Sequence, residues 1–490
     1  MASVRTRFII EIVTITKHPR VALILLAALA LAGQLEAQID LPAPDVPVPG
    51  SEDEQQTEAA PPPELTPGAP VQIRPDEGSP VAGTEITTPE FNIGRRLHLS
   101  GSLNGGYDDN VNLSPTGSPS WYANPTANFR YLFGSARLAM DLLVGGGINY
   151  YFDHPGGRYY DPIVYLQFSL AYKVTARLTL DLSTSSAYES QPEFATALSS
   201  TRRLGNYFRS ENNLSAHYQL SHRLSSITGY SLSALEYENP AASGHDRLEQ
   251  AFSEQLRYLW MPTTTVSGQY RFSLNEAQGA GGGSTTQSLV AGLQQSFSPR
   301  FQAGLHSGVQ FRSGNNGGQT SPYVETTLRY ELAPLGGYGL AAEGGYGAGR
   351  LGGTLSRQPA NSTYIFWTAR YSIEESDVQT RAGRETFRTN LLLNYAMTAR
   401  ISASLGLSYS HGDNGTSNQV SSRSLGGSST ETTFDITPSV RYAITQHCAF
   451  NVGYRYTDVQ NGLGAVALEP VQSVASYTRN RYFAGITISF

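Results

Sequence analysis

From about residue 97 to the last residue the chain alternates. In 301–311, Phe301, Ala303, Leu305, Ser307, Val309 and Phe311 fall on one side, and Gln302, Gly304, His306, Gly308 and Gln310 on the other. In 401–409, Ile401, Ala403, Leu405, Leu407 and Tyr409 separate from Ser402, Ser404, Gly406 and Ser408. In 449–457, Phe450, Val452, Tyr454 and Tyr456 separate from Asn451, Gly453, Arg455 and Thr457. A strict period of two belongs to strands, whose successive side chains point to opposite faces. These runs are about twelve residues long, against about five to six for an ordinary strand.

The wet side of each strand is rich in Gly, Ser, Thr, Asn and Gln rather than Lys and Glu. Charged residues make up 15% of the chain, against about 25% in ordinary globular proteins. A soluble sandwich or propeller also alternates. It would not combine long strands, weak charge and an apolar face on nearly every strand. No run of 18 apolar residues exists, so no helix is available to span a bilayer.

Tight turns repeat with the strands. "YKVTAR" (172–177), "YQLSHR" (218–223), "YAMTAR" (395–400) and "YAITQH" (442–447) each end a strand on Tyr and place a cation near the start of the next. Looser versions stand at 131–137, 258–265, 297–301 and 330–338. Connections at the opposite ends are longer and polar, as at 108–120, 278–286 and 411–430. Short turns at one end and long loops at the other predict a single transmembrane antiparallel β-barrel. Closure follows because hydrocarbon offers unpaired backbone amides no partner. Eight turns with a first and a last strand give 18 strands, with 16–20 compatible. The segment 364–373 alternates well but lacks an evident partner in 375–384, so it belongs either to a long-loop fold or to a 20-strand barrel. Tyr172, Tyr218, Tyr395 and Tyr442 suit an aromatic girdle at the membrane interface.

Residues 1–37 read as an export signal. Arg5, Arg7, Lys17 and Arg20 precede the apolar 21–33, and "LEA" offers cleavage after Ala37. Residues 38–90 form an acidic Pro-rich linker. Its 39–90 portion holds 12 of the 27 prolines and 11 acidic residues against the lone Arg74, a composition expected to stay disordered. It serves as a spacer or docks an envelope partner. The barrel is assigned to 91–490.

The last strand, "RYFAGITISF", ends an alternating run on Phe490 and resembles the C-terminal signature of bacterial outer-membrane proteins. That resemblance assigns Tyr482, Ile486, Ile488 and Phe490 to recognition by the outer-membrane assembly machinery. "LSGSLNGGYDDNVNLS" (99–114) and "FRSENNLSAHYQLSHRLSSITGYSLSALEYEN" (208–239) resemble the outer-membrane β-barrel porin families of Gram-negative bacteria, some linked to exopolysaccharide export. The resemblance covers roughly 95–490 and implies an outer-membrane channel.

Motifs for chemistry are weak. "GAGRLG" (347–352) matches a dinucleotide fingerprint but opens no helix. Asp108, Asp109, Asn110 and Asn112 could ligate calcium or serve turn geometry. His217 and His222 flank a turn and cannot share a strand face. The single cysteine, Cys448, makes no disulfide. No cofactor, no metal site, no nucleic-acid partner and no enzyme activity is expected. Only Lys17 and Lys173 are lysines among 34 cationic residues. Arg271, Arg312, Arg329, Arg388, Arg455 and Arg481 fall on the polar face, with Glu325 and Glu331 sharing the Arg329 face. They predict a mixed-charge lumen that weakly favours anions.

The expected function is a porin-like channel for hydrophilic solutes in the lipid bilayer of the cell outer membrane. The alternatives are a polysaccharide-export-associated channel and a structural or adhesive surface anchor without channel activity.

Overall fold

The computed structural model describes residues 94–157, 159–190, 206–238, 246–277, 283–314, 317–332, 363–374, 384–414, 429–463 and 476–490. The signal and linker assignments, the Ala37 cleavage site and the 347–352 motif lie outside these residues.

Among the described residues eighteen strands follow one another. The first six are β1 (Gly94–Asp108), β2 (Ser120–Gly134), β3 (Leu138–Tyr151), β4 (Tyr160–Lys173), β5 (Leu178–Glu189) and β6 (Tyr207–Gln219). Next come β7 (Leu224–Tyr237), β8 (Arg247–Met261), β9 (Thr264–Ala277), β10 (Ser284–Ser298), β11 (Phe301–Gly314) and β12 (Gly317–Leu332). The last six are β13 (Thr363–Glu374), β14 (Arg384–Ala396), β15 (Ile401–Asn414), β16 (Ser429–Ala443), β17 (Cys448–Leu463) and β18 (Tyr477–Ser489). Each pairs antiparallel with its neighbours in sequence, and β1 pairs with both β2 and β18. The sheet therefore closes on itself and keeps no edge. Among the described residues no helix is long and apolar enough to cross a membrane.

The sequence's period of two becomes the two sides of the wall. Apolar side chains oppose one another outside, as in Leu293↔Leu305 and Leu391↔Leu407. Polar ones do so inside: Ser102 bonds Thr126 at 2.6 Å and both are buried. The polarity is that of a soluble domain turned inside out, since many large apolar side chains, Leu103, Leu289 and Ile486 among them, are exposed while Asn104, Asp108 and Thr386 are fully buried. A lipid surround makes that arrangement favourable and water does not.

Seven of the eight expected turns stand where the sequence puts them. The eighth does not: β12 ends at Leu332, and β13 begins at Thr363. The total of 18 holds, and 364–373 is neither a loop fold nor part of an extra pair. It is β13 itself, pairing with β12 through Trp367↔Leu328 and with β14 through Trp367↔Leu391. The opposite end is not uniformly long either, because β11 and β12 are separated only by residues 315–316.

Aromatic side chains ring both ends of the outer face. Tyr172, Tyr218, Tyr395 and Tyr442 are exposed near the turns, and Trp121, Phe311, Phe387 and Tyr482 are exposed nearer the loops. Phe387 and Tyr395, Phe434 and Tyr442, and Tyr482 and Phe490 are each eight residues apart. At about 3.4 Å per residue and a tilt of about 40°, that puts the belts about 20 Å apart, close to the apolar band of membrane barrels.

Tyr482, Ile486, Ile488 and Phe490 share the outer face, and Phe490 is 75% exposed. Its backbone still closes the barrel: Phe490 N–H donates to the Leu99 carbonyl at 2.8 Å, and Leu99 N–H donates to the Phe490 carbonyl at 3.1 Å. Deleting Phe490 removes both bonds, so urea unfolding in detergent is expected to show a loss of about 1–3 kcal/mol.

Candidate channel interior

Inward positions of neighbouring strands lie opposite one another, so residues remote in sequence meet as rows on the inner wall. Seven arginines among the described residues (Arg209, Arg257, Arg312, Arg370, Arg384, Arg388 and Arg479) are less than a tenth exposed. Burying a guanidinium requires compensating partners, and two clusters show how this is met.

The first spans β13 to β16. Arg370 and Arg388 stand directly opposite one another, a like-charge pair that repels by itself. Glu374 bridges them, accepting from Arg370 at 3.3 Å and from Arg388 at 3.1 Å. Arg384 pairs with Glu431 at 3.4 Å. The second spans β16, β17, β18 and β1. Arg455 and Arg481 again stand directly opposite. Asp435 accepts from Arg455 Nε and from the Thr457 hydroxyl, both at 2.7 Å. Asp108, with no exposed surface, accepts from Arg479 through Nε and Nη2. Arg481 lies 4.1 Å over the Tyr122 ring and donates to Asn149 at 3.3 Å. Each cluster sets three guanidinium groups against two carboxylates.

The other arginines read from the sequence occupy the same face. Arg271 pairs with Glu249 at 3.4 Å, and Arg329 with Glu331 at 2.7 Å. Glu325 accepts instead from the Tyr323 hydroxyl at 2.5 Å. Arg312, on β11, is buried. Three arginines of the clusters were not among the lumen residues read from the sequence. Arg370 lay on the segment without an evident partner, Arg384 in the stretch read as a poor strand, and Arg479 two residues before Arg481 on the same face.

A cap over this wall was not legible in the sequence. The β1–β2 connection, 109–119, folds onto it. Val111, fully buried, packs with Tyr122, Tyr151 and Phe483, and Leu113 packs on Val459 and Tyr477. Gly453 stands opposite Phe483, and a Cβ there would run into the Phe483 ring. Asn110 fixes the loop by donating to the Ser114 and Thr478 carbonyls at 2.7 and 2.9 Å while accepting from Ser114 N–H at 2.9 Å.

The calcium alternative for this stretch loses its ligands to protein donors. Asp108 holds Arg479, and Asp109 accepts from the Asn480 backbone at 2.7 Å and its side chain at 2.6 Å. Turn and loop geometry account for these residues. His217 sits beside Asp181 at 3.3 Å, while His222 lies between β6 and β7. Among the described residues no group of three or more His, Cys, Asp or Glu could hold a metal ion.

No protein-family model matches the chain, and no curated protein matches it. Among solved structures it is similar to the outer membrane protein OpdK of Pseudomonas aeruginosa, at 9% identity and a TM-score of 0.39, covering 81% of this chain and 99% of that one. It is similar to a BenF-like porin of Pseudomonas fluorescens Pf-5, at 11% identity and a TM-score of 0.40, covering 82% and 100%. It is also similar to the siderophore receptor PirA of Acinetobacter baumannii, at 8% identity and a TM-score of 0.41, covering 81% and 80%.

Proposed function

We propose that this barrel sits in a bacterial outer membrane and passes small hydrophilic solutes through its interior, favouring anions. The observation that carries the reading is the inverted polarity of a closed 18-strand wall, apolar and belted outside and lined inside by amides, hydroxyls and guanidinium groups. Barrels of 16–18 strands are wide enough to hold water. The export signal read at 1–37 and the apolar last strand ending on Phe490 agree with that location.

Selectivity comes from charge placement rather than from a reacting group. An anion passing the two clusters meets planar donors already ordered by Glu374, Glu431, Asp108 and Asp435. Ordering in advance lowers the cost of replacing part of the solute's hydration shell. The folded 109–119 segment covers the wall beside the second cluster and reduces the space left for passage. No catalytic step is assigned to this interior.

Reconstituted full-length protein in a planar bilayer tests the reading. Stepwise conductance with an anion-favouring reversal potential in a salt gradient is expected. The double variant Arg370→Ala, Arg388→Ala leaves Glu374 without its two partners and is expected to move the reversal potential toward cations. A silent barrel, or a wild type that prefers cations, contradicts the proposal.

A further inference from the structure

Among the described residues one carboxylate faces outward within the apolar band. Glu254 stands at the midpoint of β8, between Phe252 and Leu256, both exposed on the outer face. Its cross-strand partners are Thr228 and Tyr270. Other outward carboxylates, such as Glu276, Glu385 and Asp458, lie beyond Phe272, Phe387 and Tyr456, toward the loops. Glu254 lies inside the apolar band, four residues from Tyr258, which belongs to the belt near the turns.

A carboxylate directed at hydrocarbon is costly, and the local structure compensates it only in part. Thr228 Oγ1 donates to Glu254 Oε2 at 2.6 Å, and Ser226 Oγ donates to Oε1. An ionised carboxylate has about four acceptor positions, so two stay open beyond the Ser226 and Thr228 hydroxyls. The side chains around it are small and polar: Ser226 and Thr228 on β7, and Asn212 on β6 above the buried Ser210. Asn212 supplies a matching donor: its amide donates to Ser210 at 3.0 Å, and its other contact, to the Leu232 carbonyl, is 3.5 Å.

β6 and β8 flank β7. A two-fold axis along the membrane normal beside β7 sets β8 of one copy against β6 of the other. That brings Glu254 of each copy toward Asn212 of its partner, twice over, across a low strip formed by Ser226 and Thr228. Acceptor and donor are placed on either side of β7 as an isologous contact requires.

We propose that the outer face of β6–β8 is the interface of a two-fold homodimer, with each Glu254 accepting from the Asn212 amide of the other copy. The inference rests on the membrane reading above but not on solute passage.

Oxidative cross-linking in isolated membranes tests it, using full-length protein with Cys448→Ser. Tyr230→Cys lies on β7 beside the axis and is expected to give a disulfide dimer of twice the chain mass. Leu407→Cys, on the outer face of β15, is expected to stay monomeric. Adding Glu254→Leu should leave a folded, heat-modifiable barrel and reduce the Tyr230→Cys dimer to the Leu407→Cys level. A folded membrane-bound barrel that does not cross-link at Tyr230→Cys overturns the dimer and leaves the channel reading intact. Equal cross-linking at both sites overturns it as random collision, and a product of another mass overturns it in favour of a different partner. Full cross-linking retained in Glu254→Leu overturns the role of the carboxylate. Chain recovered outside the membrane fraction overturns both this inference and the channel reading.

Discussion

Leu293→Arg is expected to destabilise the folded barrel by about 2–4 kcal/mol, the cost of a cation on the lipid face near the bilayer midplane. Leu293 is exposed on β10 and stands directly opposite Leu305 of β11. Neither strand offers it a nearby carboxylate on that side, and it is too far from either belt for a guanidinium to reach headgroups at low cost. Leu293→Phe keeps the site apolar and is expected to change little. Equilibrium unfolding in lipid vesicles measures both. A harmless arginine at 293 would mean that the outer face does not meet hydrocarbon there.

Asp108→Ala is expected to cost about 3–5 kcal/mol, the usual consequence of removing one partner from a buried ion pair. Asp108 is the carboxylate that Arg479 grips through two nitrogens, and Arg481 comes within 4.0 Å of it. Its loss leaves guanidinium charge on a buried wall. It also removes the acceptor for Asn110 N–H at 3.1 Å, which helps set the 109–119 segment. Thermal melting of purified protein should show the loss. Limited proteolysis should cut within 109–119 faster than in the wild type. Arg479→Ala should do less damage, because Asp108 keeps Arg481 and the Asn110 backbone.

The sequence disclosed what depends on period. Alternation in 301–311, 401–409 and 449–457 separates the inner from the outer side chains without knowledge of which strand lies beside which. Seven turns were legible because each closes locally within a few residues. The thirteenth strand was misplaced because Tyr330–Tyr338 imitates the turn pattern, and nothing local shows that β12 pairs with a strand beginning at Thr363. The inward arginines followed from parity, but their pairing did not. Arg388 and Glu374 come from different strands, and Asp108 and Arg479 from opposite ends of the chain, joined only by barrel closure. The inward fold of 109–119 was equally hidden, since the partners of Val111 include Phe483, and a polar loop with two isolated apolar residues reads as solvent-facing. Glu254 falls on the apolar parity in plain view, but the sequence gives no hint of its partner until the register puts Thr228 beside it.

The most direct test is to label β15 with a spin probe at each position from Ala403 to Ser408, one at a time, in membrane-reconstituted protein with Cys448→Ser. Collision with oxygen reports hydrocarbon, and collision with a water-soluble paramagnet reports the aqueous interior. Oxygen access should peak at 403, 405 and 407 and aqueous access at 404, 406 and 408, two waves of period two in opposite phase. Aqueous access peaking at 403, 405 and 407 would contradict a barrel with lipid outside and water within.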